Sequence, residues 1–284
     1  MASEPTTIAS VGQVIDEVLR THYRIDPAPL FAEAGLDREL LTHPNARYPR
    51  ERIMKLWDLA VEATGDSGIG LQVGLNVRTT SFHALGFSWL ASDNLLDAFH
   101  RLARYYRVIA TVPLRVEIEE SPKSVNLEVV YPDRRYPAPP IALDSFMASI
   151  IRLCRLATTE TFCPTRAYLV IEGSKTPESY EAAYGCPVVF GAGKNAFDFD
   201  REQVLAPLPG DNLELARAND IVIERYLLIK WVKWSSYTVC RRGVVQQILY
   251  PTIDFPEILI FFRQLKILVT PPGRIRWSIV KFTE

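Results

Sequence analysis

Cysteine is scarce in this chain. The four in 284 residues, Cys154, Cys163, Cys186 and Cys240, stand in no CxxC pair and beside no spaced histidines. That pattern excludes a disulfide framework and a zinc site. Histidine is as sparse: His22, His43, His83 and His100 form no HExxH, and no GxSxG serine exists to recruit one. Charge of one sign is also missing, since 32 Lys and Arg against 33 Asp and Glu leave a net charge of -1. Bulk electrostatics therefore does not announce a nucleic-acid partner. No long hydrophobic run is present either. The most apolar late stretch, "EILIFFRQLKILV", is interrupted by Arg263 and Lys266 and is too short to span a bilayer. The first twenty residues carry Glu4, Asp16 and Glu17 and lack the apolar centre of a signal peptide. These absences together predict a cytoplasmic protein with no membrane partner, metal or cofactor.

What is present can bury a core. Hydrophobic residues make up 48% and charged residues 23%, the balance of a globular chain. "IASVGQVIDEVLRTH" places Ile8, Val11, Ile15 and Leu19 at helical spacing. Asp26 before Pro27 caps a second helix that Gly35 stops, and Pro49 opens a third that ends at Gly65. Ile53, Trp57, Leu59, Ala60 and Ala63 line one side of that third helix. Further on, "LGFSWLASDNLLDAFHRLARYYRVI" reads as a helix capped by Ser92 or Asp93. Its buried stripe is Leu95, Phe99, Leu102 and Tyr106, and Asp97 and Arg101 pair on a solvated side.

The period then changes from helical to two. "PLRVEIEE" turns Leu114, Val116 and Ile118 inward, and "SVNLEVVY" does the same with Val125, Leu127, Val129 and Tyr131. That predicts a hairpin with one wet face. A helix over 141–157, a strand in "RAYLVIEG", a short helix in "PESYEAAYG" and strands in "PVVFG" and "AFDFD" follow. The order predicts an α+β fold: N-terminal helices on a small antiparallel sheet over 10–205, a linker helix within 206–234, and a divergent tail over 235–284.

Two motifs invite chemistry and do not sustain it. "GAGKNAF" has Val188 where a phosphate loop needs its first glycine, and Asn195 where it needs Ser or Thr. A strand-to-strand turn fits better. Asp198 and Asp200 share one side of a strand but have no further ligands nearby for a hard cation. No catalytic set is identified, and an enzyme is not expected.

Three ordered blocks, "RYPRERIMKLWDLAVEATGDSGIGLQVG", "ALGFSWLASDNLLDAFHRLARYYRVI" and "YGCPVVFGAGKNAFDFDREQVLAPLP", resemble the N-terminal effector-binding and dimerisation domain of AraC/XylS-type transcriptional regulators. The subgroup is the arabinose-binding-like one of ornithine-responsive regulators, and the resemblance covers about residues 10 to 225. It implies a small-molecule effector, a homodimer and DNA as partner through a C-terminal reader.

After Trp234 the sequence departs from that pattern. Two helix-turn-helix units need roughly 100 residues; the remaining 50 hold Pro251, Pro256, Pro271 and Pro272 and no paired, capped helices. Residues 230–284 carry nine Lys and Arg against three Asp and Glu, leaving 23 against 30 elsewhere. Such a basic tail gives attraction to phosphate without reading sequence. DNA-contacting residues cannot be assigned. The alternative to a regulator with an altered reader is a free-standing small-molecule-binding and dimerisation module. Within either reading, a mostly apolar pocket between sheet and helices is expected. Its candidate ligand contacts are Trp89, His100, Tyr105 and Tyr106, each of which ordinary packing would also explain.

Overall fold

The structure is a computed structural model describing residues 4–43, 45–132, 139–172 and 177–242, with two short strands at 269–270 and 274–275; side chains are described as far as residue 228. It divides into two units, Met1–Ser236 and Tyr237–Glu284. In the second, Val269–Thr270 pairs antiparallel with Arg274–Ile275, and the prolines singled out in the tail lie outside the described residues.

The first unit opens with β1 (Thr6–Ile8), which pairs antiparallel with β2 (Arg47–Pro49). Neither shows in the sequence, because three residues are too few to display alternation. Between them lie α1 (Ala9–Thr21), burying Val14, Ile15, Val18 and Leu19, and α2 (Ala28–Glu33). Asp26 accepts from the Ala28 amide at 3.0 Å, and Gly35 leaves α2 at φ 68°, a conformation that favours glycine. Helix α3 (Arg50–Thr64) follows Pro49 and ends at the left-handed Gly65. Its buried stripe is Ile53, Leu56, Trp57 and Ala60. Leu56 takes the place expected for Ala63, which is exposed.

Helix α4 (Ile69–Leu75) lies directly on α7 (Pro140–Ala157). Glycine makes the approach feasible. A Cβ on Gly70 would sit 2.4 Å from the Ile141 carbonyl oxygen, and one on Gly74 2.4 Å from that of Ser145. Next come α5 (Ala84–Leu90) and α6 (Leu95–Tyr105). The cap of α6 is Asn94, in extended conformation, whose side chain accepts from the Asp97 amide at 2.9 Å. Ser92 and Asp93 do not fill that role; Ser92 is fully buried and donates to the Ser88 carbonyl at 2.9 Å. The stripe Leu95, Phe99, Leu102 and Tyr106 is buried as its spacing predicts.

Strands β3 (Arg115–Glu120), β4 (Ser124–Val130), β5 (Arg166–Tyr168), β6 (Val188–Val189) and β7 (Ala196–Asp200) form a sheet in the order β3-β4-β7-β5-β6. Register places Val116 opposite Val129 and Ile118 opposite Leu127, then Leu127 opposite Phe197. Ile118 is only half-buried because β3 is an edge. The fold is α+β as predicted, but the sheet is mixed: β5 and β6 are parallel. Helix α8 (Pro177–Tyr184) lies between them in the chain, the crossover that parallel strands require. "GAGKNAF" is the turn from β6 to β7, with Gly191 at φ 66°. Asp198 accepts from Asn126 at 2.6 Å and Tyr168 at 3.0 Å, and Asp200 caps α9 (Arg201–Leu205). Both carboxylates are thus committed to structure. Helix α10 (Leu213–Arg242) begins where Asn212 accepts from the Leu215 amide at 2.9 Å.

Candidate functional site

Segments far apart in the chain enclose one apolar cavity of about 100 Å³. Thr7 of β1 and Val11 and Val14 of α1 form one side; Arg50, Ile53, Met54 and Trp57 of α3 form another. Val73 of α4, Val77 and Phe82 close the third, with Tyr106, Ile109 and Val112 after α6. Helix α7 supplies Ala142, Ser145, Phe146 and Ser149, and Tyr131, just past β4, completes the wall. The site therefore lies mainly among the helices, not between sheet and helices as expected. The inner face of the sheet is already filled, with Phe99 of α6 5.1 Å from Phe199 of β7 by ring centroids.

Of the four candidates named from sequence, Tyr106 alone lines this cavity. Its ring meets Phe146 edge-on at 5.5 Å. Burial pushes its phenol well up, against the opposing pull of Arg47 and Arg50. Burial likewise raises Tyr131 to about 12, and Arg50 draws it back. Both phenols consequently stay protonated, and no hydrogen bond engages either one among the described residues. Trp89 is elsewhere: it is fully buried, donates to the Leu153 carbonyl at 3.2 Å and packs on Phe99. His100 faces solvent. Tyr105 is turned toward α10, donating to Glu224 at 2.7 Å. A single helical stripe cannot point adjacent residues at one site, so Tyr105 and Tyr106 part company.

The helix α10 is held on this unit by polar contacts. Ser88 and Arg101 both bond Asp220, Arg104 joins Tyr105 on Glu224, and the Tyr226 ring lies 5.2 Å from His83. His83 itself is at φ 56° and ψ −147°, a strained setting for a side-chain-bearing residue. Arg47 has the widest reach. Its guanidinium donates to the carbonyls of Thr6, Val108 and Ile109, to the Thr6 hydroxyl, and to the Tyr226 hydroxyl at 3.1 Å. Sequence reading missed Arg47, Arg50 and Tyr131. Arg50 is conspicuous only as the residue that opens α3 after Pro49, and Tyr131 only as the last inward position of its strand.

Behind the cavity wall, Asp144 is buried on α7 and accepts from the Tyr180 hydroxyl at 2.8 Å. Desolvation raises its carboxyl to about 6, which the Tyr180 bond partly offsets. The neighbouring Tyr184 hydroxyl is buried without a hydrogen-bond partner among the described residues. Among the described residues, no group of three or more His, Cys, Asp or Glu could hold a metal ion. No helix among them is long and apolar enough to cross a membrane.

Residues 25–208 match the family model of the N-terminal arabinose-binding domain of AraC transcription regulators. No curated protein matches the chain. Among solved structures, the crystal structure of transcriptional regulator CdpR from Pseudomonas aeruginosa is similar over 68% of this chain and 59% of its own, at 15% identity and a TM-score of 0.49. The chain thus spans less than two-thirds of that protein's length.

Proposed function

Because the chain belongs to the family of the arabinose-binding domain of AraC transcription regulators, we propose that residues 10–205 sense a small-molecule effector and dimerise, that 206–234 are the linker, and that 235–284 give no sequence-specific reading of DNA. The family is one of transcription regulators, not of enzymes. The observation that carries the sensing role is the apolar cavity lined by Arg50 and by two phenols, Tyr106 and Tyr131, that have no hydrogen-bond partner among the described residues. Tyr106 is thus retained as a proposed ligand contact, and Arg50 and Tyr131 take the place of Trp89, His100 and Tyr105.

A homodimer is supported by the outer face of α10. Leu215, Ile221 and Val222 are 52%, 50% and 47% exposed, apolar surface spread along about two turns of the helix. Glu214 and Arg225 stand at opposite ends of that face, so an antiparallel second copy would set each beside its opposite charge. For the tail, the supporting chemistry is in the sequence: Pro251, Pro256, Pro271 and Pro272 would each interrupt a helix interior. Its basic residues suit attraction to phosphate without base contacts.

Sedimentation and DNA footprinting test the two halves of this reading. A dimer that protects no defined site at near-physiological salt is expected, with residual binding lost steeply as salt rises. Protection of a defined operator would refute the tail assignment, and a monomer at micromolar concentration would refute the dimer. The second reading, a free-standing module that antagonises intact relatives by mixed dimerisation, draws on the same exposed α10 face. It requires that the chain exchange into a relative's dimer and release that relative from DNA.

A further inference from the structure

The cavity's polar groups are few, and their kind is selective. Among the described residues its lining contains one cation, Arg50, and no Asp or Glu. An ammonium ligand would therefore meet no counter-charge among the described residues, and burying an unpaired charge is strongly unfavourable. The serines are largely committed already. Ser149 donates to the Ser145 carbonyl at 2.6 Å, and the Ser81 hydroxyl accepts from the Arg78 amide at 3.0 Å. A sugar, which needs a partner for each hydroxyl, would leave most of them unpaired against Val73, Ile53, Trp57 and Phe146.

What the lining does supply is a concentrated donor set. Arg50 carries five N–H donors in a planar fork, so it can accept a further anionic partner beside any bond it makes to protein. The hydroxyls of Tyr106 and Tyr131 have no partner among the described residues, and the charge of Arg50 is felt at both phenols. Kept protonated by burial, each phenol has a hydrogen to donate. The cavity of about 100 Å³ holds roughly seven to ten non-hydrogen atoms if each occupies about as much as one water-sized probe.

We propose that this cavity takes a compact apolar monocarboxylate, its carboxylate held by Arg50 with the Tyr106 and Tyr131 hydroxyls and its hydrocarbon body against α3, α4 and α7. The assignment rests on the reading of the cavity as the effector site. It departs from what the family's label suggests, because a polyol finds too few partners among the described residues here.

Isothermal titration of the full chain with hexanoate, hexan-1-ol, hexylammonium and arabinose tests it. Hexanoate is expected to bind about tenfold or more tightly than hexan-1-ol, the worth of one charge-assisted bond, with hexylammonium and arabinose silent. Arg50→Gln should bring hexanoate down to the level of hexan-1-ol and leave hexan-1-ol unchanged. Arg50→Lys, which keeps the charge, should restore part of the difference, and circular dichroism melts of both variants show whether they fold. Ala142→Phe should fill the cavity and abolish all binding. Hexylammonium binding as tightly as hexanoate, hexanoate indifferent to Arg50→Gln in a folded variant, or four silent probes would each overturn the ligand class. If alcohol and amine bind and Ala142→Phe removes them, the cavity stands as a binding site and the class alone is wrong. If probes bind and Ala142→Phe changes nothing, the cavity is not the site.

Discussion

Arg101 of α6 places its Nε 3.3 Å from Asp220 Oδ2 of α10, across 119 positions of the chain. The two side chains are 9% and 19% exposed. The same guanidinium bonds Asp97 one helical turn away and the Ser92 hydroxyl at 3.1 Å. A pair that looks solvated on an isolated α6 is in fact roofed by the linker helix.

Asp220→Ala should therefore destabilise the first unit by about 3 kcal/mol, the cost of stripping a partner from a largely buried ion pair. Asp97→Ala should cost about 1 kcal/mol, more than an exposed pair would, because Asp220 remains to hold Arg101. Urea unfolding midpoints of the two variants check the ranking. Losses below about 0.5 kcal/mol in both would mean that α10 does not cover Arg101.

Phe99→Ala should cost about 3–5 kcal/mol, as aromatic truncations in cores do. The ring has no exposure and meets Trp89 at 5.6 Å and Phe199 at 5.1 Å, so it joins helix to sheet. A midpoint within error of wild type in urea would place the core elsewhere.

Gly74→Ala should destabilise by about 1–3 kcal/mol, since its Cβ would meet the Ser145 carbonyl and lie 2.5 Å from the Ala148 Cβ. Helix propensity alone predicts the opposite sign. Gly193→Ala, with nothing within 4 Å of the added carbon, is the control and should be near neutral. Thermal melts of the pair read out the difference.

Asp144 gives a pH signature. Its folded carboxyl titrates near 6, above the ordinary 3.8, so the folded state binds the proton more tightly than the unfolded one. Its contribution to stability is full below about pH 4 and is lost as pH rises through 6. Asp144→Asn, which cannot ionise, should gain on wild type across that window by up to about 3 kcal/mol. Parallel denaturant curves at pH 4.5 and 7.5 test this, and an advantage that grows instead toward acid would reverse the sign of the burial effect.

The legible parts of this fold are those whose reason is local. Asp26, Pro49, Gly35 and Gly65 set helix ends by their own backbone preferences, and the alternation of Val125, Leu127 and Val129 needs only the two faces of one strand. Asn94 is not legible as the cap because Ser92 and Asp93 are equally good caps in isolation; Ser92 is instead buried, its hydroxyl between the Ser88 carbonyl and Arg101. The cavity was illegible for a stronger reason. Thr7, Arg50, Tyr106, Tyr131 and Ser145 converge from five segments, and no spacing within any one segment records the others. The adjacent tyrosines read as one feature in the sequence, yet Tyr106 lines the cavity and Tyr105 turns to Glu224 on α10.

Arg47 spans two territories with one rigid planar group: the carbonyl of Ile109, a residue of the cavity wall, and the hydroxyl of Tyr226 on α10. Thermodynamic reciprocity attaches a condition to such a bridge. If an occupant of the cavity shifts residue 109 and so weakens the hold on Tyr226, then whatever repositions α10 from outside must weaken that occupant by the same factor. A partner that grips the linker is, in this sense, also an antagonist or agonist of the ligand, with no need to enter the pocket.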